Sequence, residues 1–140
     1  MLANRSITAA TVIPVLSYPD VNQAATWLCD SFGFTVRLRI GNHRVQLNVG
    51  EGAVILREIR SDEINQPLGN GHTVLIRVDD VDAHCKTASD HGAVITQEPT
   101  THPFGERQYN AEDFAGHIWT FSQSLADVHP DEWGGTAVQL

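Results

Sequence analysis

GERQYNAEDFAGHIWTFSQ, residues 105–123, carries the clearest alternation in the chain and its clearest turn. Two β-like runs flank Glu112-Asp113-Phe114-Ala115-Gly116, where an acidic pair and a glycine favour reversal of the chain. The stretch therefore reads as a hairpin. Because strand side chains alternate between faces, His117, Trp119 and Phe121 fall on one side, and Ile118, Thr120 and Ser122 on the other. The first side is aromatic enough to pack beneath a helix. The second is small and mildly polar, which suits the wall of a ligand cavity.

Outward from the hairpin, one order of elements occurs twice. Residues 11–17 (TVIPVLS) are β-branched and apolar, with Pro14 pointing to an edge position or a bulge. Asp20 is a natural N-cap, and Val21, Ala24, Ala25, Leu28, Cys29 and Phe32 follow at the spacing of an amphipathic helix that Gly33 stops. Short β-like runs at 34–40, 44–49 and 53–58 come next, punctuated by Gly41-Asn42 and Gly50-Glu51-Gly52. After a polar, turn-rich segment at 59–71, a strand at 73–78 leads to a second N-cap, Asp80. Val81, His84, Cys85 and Ala88 then form a stripe ending at Gly92, before Ala93-Val94-Ile95. The pairs Asp20-Val21 and Asp80-Val81 lie sixty residues apart. The chain is thus a tandem repeat, with one module at about 11–60 and another at about 72–123. A Pro- and Thr-containing loop at 97–104 precedes the hairpin. Residues 1–10 read as a loose arm and 124–140 as a tail, in which Trp133 reads as an anchor on a partner or over a cleft, or as a single exposed tryptophan that does neither. A strand-helix-strand-strand-strand unit buries its curved sheet poorly alone, so pairing two units supplies the missing surface.

The D-x-x-G-H-x-W ending of the hairpin, Asp113 to Trp119, together with this repeat, resembles the vicinal oxygen chelate superfamily of glyoxalase I, bleomycin-resistance proteins and extradiol dioxygenases. The resemblance covers residues 11 to about 123. It implies an α+β fold, two tandem βαβββ modules whose curved mixed sheets form a cleft within a single domain over 1–140, and association of two chains in a homodimer.

Enzymes of this superfamily hold a divalent metal with four side chains, usually His and Glu, from the first and last strands of each module. The resemblance puts the equivalent positions at Ile13, Leu56, Thr73 and Thr120. None suits a transition metal: aliphatic side chains do not coordinate, and neutral hydroxyls are poor ligands. His72 lies one residue from an expected position, and in a regular strand that shift points it to the opposite face. The expectation is therefore a protein without metal or other cofactor.

By alternation from Thr73, the cleft receives Leu75 and Arg77; from the fourth strand Val54, Leu56 and Glu58; and from the first Ile13, Val15 and Ser17. Tyr109, with Arg107 on the first strand of the hairpin, and Thr120 complete the candidate ligand-binding set: Ser17, Leu56, Glu58, Thr73, Leu75, Arg77, Tyr109 and Thr120. Arg77 and Glu58 equally read as an ion pair at the rim or as solvent-facing charges, and Tyr109 and Arg107 as ordinary cross-strand packing. Mainly apolar walls with a few polar handles suit a partly hydrophobic small molecule. His117 reads as structural, Trp119 and Phe121 as core. No catalytic residue stands out, since the chain lacks a G-x-S-x-G elbow, a phosphate-binding glycine loop and an H-E-x-x-H pair.

Composition narrows the classes further. With 140 residues, 41% of them hydrophobic, the chain is long enough for one core and too short for two ordinary domains. Nine Lys and Arg against 17 Asp and Glu argue against a nucleic-acid partner and permit a cationic ligand. Cys29 and Cys85 lack metal or redox spacing and read as free buried thiols. No run approaches the roughly 18 apolar residues of a membrane span, and the N-terminus lacks a signal pattern, so a cytoplasmic location is expected. The reading is a metal-independent small-molecule-binding protein of the bleomycin-resistance kind, for which the resemblance implies sequestration of a toxic or antibiotic compound. The alternative is a metal-dependent lyase or isomerase of the glyoxalase kind, with His72 brought in by a bulge and Glu58, His117 or a partner-chain residue completing a site.

Overall fold

A computed structural model describes residues 2–69 and 71–140. The chain divides into two compact units, with the boundary in the sequence between 70 and 71. Each holds one helix and one four-stranded mixed sheet.

Unit one runs β1 (Val15–Tyr18), α1 (Val21–Phe32), β2 (Thr35–Ile40), β3 (Arg44–Val49) and β4 (Gly52–Glu58). Its sheet has the order β1-β4-β3-β2, with β1 parallel to β4 and the other pairs antiparallel. Helix α1 starts where Asp20 accepts a hydrogen bond from the Gln23 amide at 3.0 Å, which satisfies one of the N–H groups that a helix start leaves unpaired. It ends at Gly33, whose φ of 81° is the left-handed cap that glycine adopts without a Cβ penalty. The stripe Val21, Ala24, Ala25, Leu28 and Phe32 is buried against β3 and β4. There it meets Val45, Leu47, Val54 and Leu56, each at most 1% exposed. Burying side chains of this size contributes about 1.5–3 kcal/mol apiece, so the helix is held mainly by this face.

Residues 5–7 of the N-terminal arm are held against this sheet rather than loose. A bulge between Val36 and Leu38 sets Arg37 beside Gln46, Nη1 to Oε1 at 2.6 Å. Arg37 also donates to the carbonyls of Arg5 and Ile7, both at 3.1 Å, and Gln46 Nε2 donates to the Ser6 carbonyl at 2.8 Å. Residues 5–7 are thereby strapped to the sheet.

Unit two repeats the plan with β5 (Val74–Arg77), α2 (Val81–Asp90), β6 (Val94–Thr101), β7 (Glu106–Glu112) and β8 (Ile118–Ser124), in the order β5-β8-β7-β6. Asp80 caps α2 through the Ala83 amide at 3.1 Å. Residues 97–101, expected as loop, belong to β6. Pro99 is tolerated because β6 is an edge strand, and two register shifts against β7 absorb the irregularity. The hairpin forms as expected from its alternation. Its turn is tied by Asp113, only 3% exposed: Oδ1 accepts from the Ala115 and His117 amides, each at 3.0 Å, and Oδ2 from Trp119 Nε1 at 3.1 Å. This gives the D-x-x-G-H-x-W pattern its physical reason. Trp119 and Phe121 are fully buried on the α2 side, with the Phe121 ring 4.2 Å from that of His84.

The tail folds back on unit two. The Leu125 and Ala126 amides donate to the Gly105 carbonyl at 2.7 and 3.2 Å. Trp133, its indole N–H on the Val128 carbonyl at 3.2 Å, meets the Phe104 ring edge-on at 5.7 Å. Among the described residues no helix is long and apolar enough to cross a membrane.

Candidate functional site

Strand pairing decides which side chains share a face. In unit two Leu75 pairs with Thr120 and Arg77 with Ser122, so these four lie on the face turned away from Trp119 and Phe121. Gln108 and Asn110 join them across the hairpin, opposite Ser122 and Thr120. Thr73 immediately precedes β5 on the same alternation and is exposed.

The polar groups of this open face are linked. Thr120 donates to Asn110 Oδ1 at 2.7 Å, and Asn110 to Gln97 Oε1 at 3.2 Å. Ser122 donates to Glu106 Oε1 at 2.6 Å, an oxygen that Gln108 reaches at 3.1 Å. Arg77 Nη2 donates to Ser124 Oγ at 3.0 Å. At the tail-side end the face opens into a hollow of about 550 Å³. Leu75 and Phe104 supply apolar walls, and Arg77, Glu106, Ser122 and Ser124 supply polar ones. A second hollow of about 540 Å³ lies between α2 and β6. Its cations are already paired, Arg107 with Asp82 at 3.1 Å and Lys86 with Asp90 at 2.8 Å, which leaves it less to offer a ligand.

In unit one the corresponding face carries Ser17 and Arg57, which are cross-strand partners. Glu63, from a 3-10 turn at Ser61–Glu63, closes over them. Arg57 grips both of its oxygens at 2.8 and 2.9 Å, and Ser17 donates to Oε2 at 3.0 Å. The Arg57 side chain and the Arg60 amide hold the Glu63 carboxyl down at about 2, with the Ser17 hydroxyl adding to the effect. Ser17 is thus a buried member of an internal network.

Three expected site residues lie elsewhere. Leu56 pairs with Leu16 and Val45, so it belongs to the face under α1 and is fully buried there. Glu58, paired with Tyr18, follows the same alternation and lies away from Ser17. The misplacement is one residue of register: Val15, five before Asp20, pairs with Ile55, just as Leu75, five before Asp80, pairs with Thr120. Ile55, not Leu56, is therefore the equivalent of Thr120. Tyr109 pairs with Phe121 and is fully buried on the α2 side, its hydroxyl 2.5 Å from His84 Nδ1. Burial pushes its phenol well above the ordinary range. Arg107, on the same side, is taken up by Asp82.

Thr73, Leu75, Arg77 and Thr120 stay together on the open face. Ser122 lies on the strand face that the alternation marks as a cavity wall, whereas Glu106, Ser124 and Phe104 are additions from the structure. Alternation from Thr120 reaches both serines, whereas Phe104 lies in the turn between β6 and β7, where sequence spacing does not disclose which face it joins.

The positions equivalent to metal ligands carry Ile13, Ile55, Thr73 and Thr120, with no imidazole or carboxylate among them. The His72 ring turns toward His117, at 6.2 Å, on the side of Trp119 rather than Thr73. Among the described residues no three or more His, Cys, Asp or Glu side chains gather closely enough to hold a metal. Cys29 and Cys85 are free, and burial raises both thiols above their ordinary value.

Two βαβββ units, each a mixed sheet with one helix, define the class as an α+β protein of tandem modules. The chain belongs to the Glyoxalase/Bleomycin resistance protein/Dioxygenase superfamily, which it matches over residues 10–121. It is similar to TioX from Micromonospora sp. ML1, at 33% identity and a TM-score of 0.69 over 84% of this chain and 100% of that one. A glyoxalase/bleomycin resistance protein/dioxygenase family enzyme from Burkholderia phytofirmans PsJN shares the fold at 16% identity and a TM-score of 0.70, over 84% of this chain and 100% of that one. So does a glyoxalase/bleomycin resistance protein/dioxygenase from Nocardioides, at 15% identity and 0.64, over 100% and 92%. A comparison with curated proteins found none that matches.

Proposed function

We propose that the protein binds a partly apolar small molecule noncovalently and without metal, and that it acts by sequestering this compound. The open face of unit two carries the reading: a hollow large enough for a small ligand has an apolar side at Leu75 and Phe104 and hydrogen-bonding groups at Arg77, Ser122 and Ser124. The side chains at the superfamily's metal positions support a metal-independent mode. Burial raises both thiols, neither of which lines this hollow, and this favours binding over thiol chemistry. The acting form in this reading is a homodimer, which light scattering on the purified protein tests directly.

The functional experiment has two arms. Elemental analysis, after dialysis against nickel, zinc, manganese and iron salts, is expected to find no stoichiometric metal. A thermal-shift screen against a broad library of drugs and metabolites is expected to yield compounds that raise Tm and whose effect is lost in Phe104→Ala. Stoichiometric metal, or a complete lack of binders, overturns the reading.

A further inference from the structure

Each unit sets an arginine and a serine side by side on its open face, in opposite order. Ser17 on β1 pairs with Arg57 on β4, and Arg77 on β5 pairs with Ser122 on β8. Unit one displays what such a pair takes. The Glu63 carboxylate receives both Arg57 Nη groups, at 2.8 and 2.9 Å, and the Ser17 hydroxyl at 3.0 Å, so a planar guanidinium fork and one O–H satisfy two carboxylate oxygens.

In unit two the arginine stands without its carboxylate. Among the described residues Arg77 forms no ion pair, and its hydrogen bond goes to the neutral Ser124 hydroxyl at 3.0 Å. Two acids line the same hollow. Glu106 directs Oε1 to Ser122 at 2.6 Å and Gln108 at 3.1 Å, and Asp127 makes no ion pair with the guanidinium. The apolar surface beside Arg77 is open as well, with Leu75 57% exposed.

Resting on the reading of this hollow as the ligand site, we infer that its ligand is an amphiphilic acid. Its carboxylate takes at Arg77 and Ser124 the place that Glu63 takes at Arg57 and Ser17, and its apolar body lies over Leu75 and Phe104. The chain's net charge of −8 opposes an acid at long range. At physiological ionic strength that field is screened beyond about 8 Å, so the guanidinium in direct contact dominates.

The test is an NMR titration of the isotope-labelled full chain at neutral pH with three probes of matched body: 4-phenylbutyrate, 4-phenylbutyramide and 4-phenylbutylamine. The acid is expected to shift the amides of Leu75, Arg77, Phe104 and Ser124 and the Arg77 Nε–H, and to bind about tenfold more tightly than the amide, as a charge-assisted pair requires. Arg77→Gln should erase that preference with the rest of the spectrum unchanged. Arg77→Lys should restore part of it, because charge is kept while the fork is lost. Equal affinity of acid and amide at these resonances would overturn the acid while leaving a ligand site in place. Tighter binding of the amine would hand the charge recognition to Glu106 and overturn it too. If no probe moves these resonances, the inference falls, and the library screen judges the broader reading independently.

Discussion

Arg57 and Glu63 are joined by two parallel hydrogen bonds, Nη1 to Oε1 at 2.8 Å and Nη2 to Oε2 at 2.9 Å, across the open face of the first sheet. The carboxyl is held at about 2, against an ordinary 4.5, so the folded state binds its proton more weakly than the unfolded chain does. The stabilisation is then fully present above 4.5 and is lost as pH falls toward 2. Glu63→Gln should lower Tm at neutral pH, and the gap to the natural protein should close across that acid window. A gap independent of pH in thermal melts would mean that the pair contributes through shape rather than charge.

Asp113 accepts from the Ala115 and His117 backbone amides and from the Trp119 indole inside the hairpin. Asp113→Asn turns an N–H₂ toward one of these donors in a buried place, and a cost of about 2–3 kcal/mol is expected. Trp119→Phe removes the indole donor and part of the packing. Because both changes touch one network, the double variant should lose less than the sum, by urea denaturation.

Leu56 and Tyr109 were expected at the ligand face and instead lie buried beneath the helices. Leu56→Ala should cost about 2–5 kcal/mol, as large-to-small changes in a packed core do. Tyr109→Phe should cost about 1 kcal/mol, the net worth of its hydrogen bond to His84. Neither should alter the affinity of a compound bound at Arg77, which calorimetry on the folded variants checks.

Gly105 has a φ of 85°, and a Cβ there would come within 2.1 Å of the Ala126 carbonyl oxygen. The Cβ position is fixed by the backbone that carries it and the atom it meets is backbone, so the clash cannot be relieved by a rotamer change. Gly105→Ala should therefore release the tail from β7, seen as faster hydrogen exchange at Leu125 and Ala126 and a change in Trp133 fluorescence, with a stability loss of about 2 kcal/mol or more.

The repeat, the helices and the hairpin were legible in the chain because each rests on local chemistry. Asp20 and Asp80 cap helices through amides three residues on, and a glycine closes α1. His117, Trp119 and Phe121 alternate with residues of different polarity, so their face is written in the pattern. The run Ala53-Val54-Ile55-Leu56 carries no such contrast. All four are buried, on both faces of the sheet, and apolar residues on both sides look alike in sequence. Only the pairing of Val15 with Ile55 and Leu16 with Leu56 decided which of them face the helix. Pro99 likewise read as loop until its strand proved to be an edge. Glu63 and Phe104 join their sites from turns, segments whose separation in the chain from their partners bears no period. Periodicity records what a residue does within its own element; the partner across the face is set by how the elements fold together.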